Sequence, residues 1–323
     1  MGGSLSALAK KANVQVALDK ALYTAGDVVR GYVQIVILAD DVDIPALAVN
    51  FAGSANTQVH YMETVGSGDN QHKVSRTACQ TVNLANFDTR IAPLDPSIAK
   101  AKAGARIQCP FEFVVPLDAP TSMPALHIGQ DVASISYTVG VLATFPGKLY
   151  GSTTSAVHSV EVDIVAPTPA ALQAQRIEEA VKVTRCCCIP AGHMRIAARS
   201  DRVLFKSGDV ASVMYELSND TKQVVSFVDV ALKMHVSFSA NGHSSGSSSI
   251  VVSTKEAGVD PGVSFGFSVG AASGNASKVA DDATITATLG ARSAVLTVPP
   301  GLRYFTTHSP TISVNFSFAV KVG

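Results

Sequence analysis

The feature that most constrains this chain is a two-residue period of apolar side chains that recurs from one end to the other. Alternation of apolar and polar residues places every second side chain on one face of an extended backbone, the mark of a half-buried strand. In the first half, Val14, Val16 and Leu18 share a face, as do Val33, Ile35 and Ile37, then Leu47, Val49 and Phe51. Phe111, Phe113 and Val115 follow, with Ile135, Tyr137, Val139 and Val141, then Val160, Val162 and Ile164. The second half shows the same habit in Val213, Tyr215 and Leu217, in the even positions from Val228 to Phe238, and in Phe265, Phe267 and Val269. Ile285, Ala287 and Leu289 alternate with threonines, and Ile312, Val314, Phe316, Phe318, Val320 and Val322 close the series. Turn formers (Gly, Pro, Ser, Asn, Asp) separate the runs. The chain is 47% hydrophobic but only 6% aromatic, with no Trp, so Val, Ile, Leu and Ala must fill the cores. That composition favours strands, and the predicted class is all-β, built as immunoglobulin-like β-sandwiches.

A length of 323 residues is too much for one such sandwich and suits two. The halves also resemble each other. Leu22-Tyr23-Thr24-Ala25-Gly26-Asp27-Val28 matches Leu204-Phe205-Lys206-Ser207-Gly208-Asp209-Val210 at an offset of 182 residues. Val115-Pro116, Pro124 and Ile135-Ser136-Tyr137 are echoed in order by Val298-Pro299, Pro310 and Ile312-Ser313-Val314. The predicted organisation is a flexible N-terminus over 1–12, a sandwich over 13–166, a linker over 167–185 and a second sandwich over 186–323. Within the linker, Pro169 suits a first helical position and Ala174, Ile177 and Val181 share a helical face, so a short helix and an extended hinge both fit. Gly242 to Ser249 and Gly270 to Asp282 are rich in small residues and read as mobile loops.

Charge narrows the function classes. Lys and Arg total 25 against 25 Asp and Glu, so no bulk field argues for nucleic acid as a partner. No apolar run reaches the length of a membrane span, and the N-terminal residues lack the pattern of a secretory signal, so a cytosolic location is expected. Five cysteines, three of them consecutive (Cys186, Cys187, Cys188), do not space out as a disulfide framework, and reduced thiols are expected. The sequons at Asn219, Asn275 and Asn315 are then without consequence. His60, His72, His127, His158, His193, His235, His243 and His308 show no metal-ligand spacing, and surface loops account for most of them. No nucleophile elbow, phosphate-binding loop, dinucleotide fingerprint or acid–base carboxylate pair is present, so neither catalysis nor a cofactor is expected.

The ordered set of these elements resembles the arrestin family, and within it the arrestin-domain-containing proteins. The resemblance runs from Tyr23, Gly26, Asp27, Val29 and Gly31 through Phe51-Ala52-Gly53. It continues in Cys186 to Cys188, Gly192 to Ile196, Gly208-Asp209 and Asn219-Asp220-Thr221. It covers roughly residues 13 to 322, nearly all of the chain. Such a resemblance implies a non-catalytic adaptor that binds cytosolic tails of receptors or transporters and connects them to sorting machinery, peripheral to the plasma membrane or endosomes. A subunit of a retromer-like endosomal sorting complex is the alternative, as is a structural protein of tandem sandwiches. Family members carry Pro-Pro-x-Tyr motifs that recruit ubiquitin ligases. Here Pro299-Pro300 precedes Tyr304 by two residues too many, so direct ligase recruitment is not expected.

Three candidate sites follow. Met1-Gly2-Gly3-Ser4-Leu5-Ser6 fits the N-myristoylation pattern, with Gly2 as acceptor. Lys10 and Lys11 stand where a basic pair would add a second membrane signal or contact phosphate on a partner. Asp27, Arg30, Arg185, Arg202 and Asp209 are the candidates for an interdomain polar cluster of the kind the resemblance implies.

Overall fold

In a computed structural model the residues described are 8, 10–40, 46–91, 102–145, 153–166, 176–185, 189–200, 208–261, 263–265, 292–299 and 307–322. Within these residues the alternation read from the sequence becomes strands almost throughout. The first half holds β1 (Ala12–Leu18), β2 (Leu22–Thr24), β3 (Val28–Ile37), β4 (Ala46–Val65) and β5 (His72–Arg90). It continues with β6 (Arg106–Val114), β7 (Met123–Ile128), β8 (Asp131–Phe145) and β9 (Thr153–Val165). The second half holds β10 (Arg176–Arg185), β11 (Ile189–Ser200), β12 (Val210–Asn219), β13 (Val225–Ala240) and β14 (His243–Val259). It ends with β15 (Ser264–Phe265), β16 (Arg292–Thr297), β17 (Thr307–His308) and β18 (Ile312–Val322).

Two compact units result, the first comprising Met1–Pro167, Ser237–Ser245 and Thr307–Ser313, the second Thr168–Val236, Gly246–Thr306 and Val314–Gly323. In the first unit a three-stranded sheet ordered β1-β3-β6 faces a six-stranded sheet ordered β2-β9-β8-β4-β5, with β7 also paired to β8. Val14, Val16, Val29, Val33, Ile35, Phe111 and Phe113 are buried from the smaller sheet, and Leu47, Val49, Phe51, Ile135, Tyr137, Val139 and Val141 from the larger. Face-to-face burial of alternating residues is the packing of a β-sandwich. An aromatic group anchors it: the Phe51 ring lies 5.3 Å from Phe113, 5.4 Å from Phe87 and 5.6 Å from Tyr137. Two glycines make room for it. A Cβ on Gly53 would meet the Tyr137 ring at 2.4 Å, and one on Gly31 would meet the Ala17 carbonyl oxygen at 2.4 Å and Phe111 at 2.7 Å.

The second unit has a sheet ordered β10-β11-β12-β15, with β16 also paired to β12, and most of β13, β14 and β18 from the sheet ordered β14-β13-β18-β17. Its core gathers Val213, Tyr215, Leu217, Val228, Val230 and Leu232 among others. Residues 176–185, at the end of the stretch read as a linker, are the strand β10, paired antiparallel with β11 from Arg176↔Arg199 to Arg185↔Ile189.

One sequence expectation is overturned. Gly242 to Ser249, read as a mobile loop, is a turn residue followed by the start of the 17-residue strand β14. Asn241 and Gly242 both have positive φ, +48° and +83°, and join β13 to β14 in the way an Asn-Gly hairpin turn requires. The serines and glycines beyond it are held by backbone pairing to β13, and most stay exposed, so no apolar alternation announced the strand. Gly270 to Asp282, together with Phe267, Val269, Ile285, Ala287 and Leu289, lies outside the described residues.

The internal repeat acquires a physical basis. In the first unit Gly26 N–H donates to the Val115 carbonyl and Val115 N–H to the Asp27 carbonyl, both at 3.0 Å. In the second unit Gly208 N–H donates to the Val298 carbonyl at 3.1 Å and Val298 N–H to the Asp209 carbonyl at 2.8 Å. Both glycines have positive φ, +93° and +82°, and both valines are fully buried. The two sequence echoes, Gly-Asp and Val-Pro, are therefore halves of one clasp that ties the Gly-Asp turn to the strand end bearing the valine.

Candidate functional site

Strand β1 pairs with β3 along one side, from Ala12↔Ile37 to Leu18↔Gly31, and lies at the edge of its sheet. In an antiparallel ladder a residue aims both its N–H and its C=O either toward the partner strand or away from it, in alternation. Leu38 N–H donates to the Lys11 carbonyl at 2.7 Å and Asp19 N–H donates to the Arg30 carbonyl at 3.0 Å. The odd positions thus face β3, and Ala12, Val14, Val16 and Leu18 direct their backbone groups to the open side. Among the described residues no strand pairs with that side. A row of unpaired main-chain groups can accept an extended segment of another chain, with hydrogen bonds supplying affinity and neighbouring side chains selectivity.

The Val14 and Val16 side chains are buried in the sandwich, while Asn13 and Gln15 are exposed. Ahead of the strand Lys10 and Lys11 are exposed, so this end of the edge carries positive charge. At its other end Tyr23 Oη donates to Asp19 Oδ1 at 2.5 Å and accepts from Lys20 N–H at 3.2 Å. Accepting the Tyr23 hydroxyl holds the Asp19 carboxyl below its ordinary range. Burial, helped by the same hydrogen bond, pushes the Tyr23 phenol up to about 12. This closed pair fixes where β1 ends and does no acid–base work near neutrality.

A residue that the sequence reading left among scattered surface histidines belongs to this edge. His158 lies on β9, and its Nδ1 accepts the outward Val16 N–H at 3.3 Å. The pairing of β9 with β8 shifts at this point, from Val141↔His158 to Leu142↔Ala156, which leaves Val157 as the extra residue of a bulge. Bulges re-aim neighbouring side chains. Histidine spacing could not reveal the contact, because it joins a side chain to a backbone group 142 positions away.

Of the residues read as a polar cluster, Asp27 and Arg30 have local partners. Asp27 is half-buried, and its Oδ2 accepts Thr24 N–H at 2.9 Å within its own turn. Arg30 pairs with Glu112 at 3.4 Å with both side chains exposed, an arrangement that contributes little stability. Arg185 is the last residue of β10 and Asp209 is half-buried in the Gly-Asp turn of the second unit. Gly2, Arg202 and Cys186 to Cys188 lie outside the described residues. Cys79 is exposed and Cys109 buried, both as free thiols. Among the described residues no group of three or more His, Cys, Asp or Glu could hold a metal ion, and no helix is long and apolar enough to cross a membrane.

These features define the class: an all-β protein of sandwich units, with an open strand edge as its most distinctive surface. Residues 13–163 match the family model described as Arrestin (or S-antigen), N-terminal domain, a stretch just under half of the chain that covers β1 to most of β9. Over that stretch the chain is similar to the arrestin family, whose members are non-enzymatic adaptors. A search of curated proteins finds no match.

Proposed function

We propose that this chain is a cytosolic adaptor in membrane-protein trafficking that binds the cytosolic tails of receptors or transporters as extended strands along β1. The family supplies the general adaptor role. The observation that carries the finer reading is the outward row of backbone groups at Ala12, Val14, Val16 and Leu18. Exposed Lys10 and Lys11 at one end of that row would meet an acidic or phosphorylated residue of the tail, or an anionic membrane surface. Acylation of Gly2 would add the hydrophobic half of a two-part membrane signal, since one myristoyl chain alone binds only marginally. Mass spectrometry of the N-terminus from the native cell tests that part directly.

The binding reading is tested by affinity capture from the native cell with the wild-type chain and with Val14→Pro. Proline at this position deletes an N–H that faces away from β3, so the β1–β3 ladder keeps its bonds. Capture of membrane proteins through their tails by the wild type, reduced roughly fivefold or more by Val14→Pro, is the expected result, in line with the loss of a main-chain hydrogen bond. Recovery of soluble metabolic enzymes alone, or equal tail capture by both chains, would remove the proposal.

A further inference from the structure

We propose that His158 is a proton-operated guard on the outer edge of β1: neutral, it occupies the Val16 N–H, and protonated, it vacates that group so that an extended segment can pair there. The inference rests on the edge reading above and adds a control to it. The geometry allows one chemical state. A backbone N–H can only donate, so the Nδ1 that faces Val16 at 3.3 Å must carry a lone pair, which places the ring proton of the neutral imidazole on Nε2. Imidazolium carries protons on both nitrogens. Two donors would then face each other across the same distance, and the ring must turn away from the strand. Histidine in general changes charge between about pH 5 and 8.

The surroundings do not override this exchange. β1 carries no charged residue from Ala12 to Leu18, with Lys10 and Lys11 before it and Asp19 and Lys20 after it. On β8 the stretch from Val132 to Phe145 is uncharged, and the one carboxylate, Asp131, begins the strand and is bonded to His60. On β9 itself the charged residues are Glu161 and Asp163. No acid on these strands therefore lies next to Nδ1 in sequence or register to replace the Val16 contact as a partner. Occupation by a side chain also explains how an edge with buried Val14 and Val16 avoids promiscuous pairing, which natural sheets prevent by blocking exposed edge groups.

The test uses the whole chain without any ligand. Amide exchange at Val16, corrected for intrinsic rates, is compared at pH 8 and pH 5, with the β3-facing amides of Gln15 and Ala17 as internal references. Nitrogen NMR of the His158 ring reports its tautomer in the same samples. Expected are an Nε2–H tautomer at pH 8 and a loss of Val16 protection at pH 5 of roughly fivefold or more relative to the references, the weight of one hydrogen bond. His158→Asn places an oxygen where Nδ1 stands and cannot be protonated in this range, so Val16 protection should no longer respond to pH. His158→Phe removes the acceptor and should leave Val16 unprotected at both values. Equal protection of Val16 at the two pH values in the wild type overturns the proposal, as does a response that survives in His158→Asn. Because no tail peptide enters the experiment, a failed guard leaves tail capture standing, and failed tail capture leaves the guard measurable.

Discussion

Asn219 shows how much one polar side chain can hold. It is fully buried at the end of β12, and its amide donates to the carbonyls of Gln223 at 2.8 Å and of Val259 and Asp260 at 3.3 Å. Its Oδ1 accepts from Thr221 Oγ1 at 2.6 Å and from Thr221 N–H at 3.2 Å. The Asn-x-Thr triplet that looks like a glycosylation signal is thus a turn lock, closed to a glycosyltransferase in the folded state. Asn219→Ala leaves buried donors and acceptors unpaired, and should lower stability by roughly 2–4 kcal/mol, read as a fall in the denaturation midpoint at unchanged slope. Asp131 makes a different prediction. Burial pushes its carboxyl up, but hydrogen bonds from Ser245, the His60 N–H and the His60 ring outweigh this and hold it below its ordinary range. A carboxyl depressed in the folded state stabilises fully above its unfolded value, about 3.9, and loses that contribution as pH falls through the folded value. Thermal melts should therefore show the wild-type advantage over Asp131→Asn constant from pH 7 to about 5 and shrinking toward pH 3.

At the scale of elements, the hairpin turn at Asn241-Gly242 and the two Gly-Asp clasps do what apolar alternation cannot. Alternation states that a segment is extended and which face it buries, but neither its partner nor its register. The turn sets the register of β13 against β14 through two consecutive residues of positive φ. A Cβ at Gly242 meets nothing within 4 Å, so Gly242→Ala strains only the backbone. It should cost about 1 kcal/mol, measurable as a small fall in midpoint with no change in fold by circular dichroism. The clasps were half legible: the repeated Gly-Asp and Val-Pro pairs stood out in the sequence, but that each Gly-Asp is bonded to its own Val-Pro is a contact across about 90 residues that no local pattern records.

For the whole molecule, the units are not the two halves of the sequence. The first unit takes in Ser237–Ser245 and Thr307–Ser313 besides Met1–Pro167. Within it the buried Thr57 hydroxyl donates to the Ser239 carbonyl at 2.8 Å, Asn241 N–H donates to Gln80 Oε1 at 2.8 Å, and the His243 ring stacks on Tyr61 with centroids 3.5 Å apart. A chain cut after residue 167 loses all of these partners. It should melt several degrees below the first unit of the full chain, with added exchange at Thr57 and Gln80, and equal melting would show that these contacts contribute nothing.

The sequence by itself determined the all-β class, most of the strands, the internal repeat and the likeness to the arrestin family, because a period of two, punctuated by turn formers, is written in consecutive residues. Only the tertiary structure decided which strand edge is open, that β14 is a strand at all, and that His158 sits on the Val16 N–H. These depend on main-chain hydrogen bonds and on the meeting of residues far apart in the chain. Backbone groups are the same at every position, so side-chain patterns say where the chain is extended but not which of its donors and acceptors remain to be used.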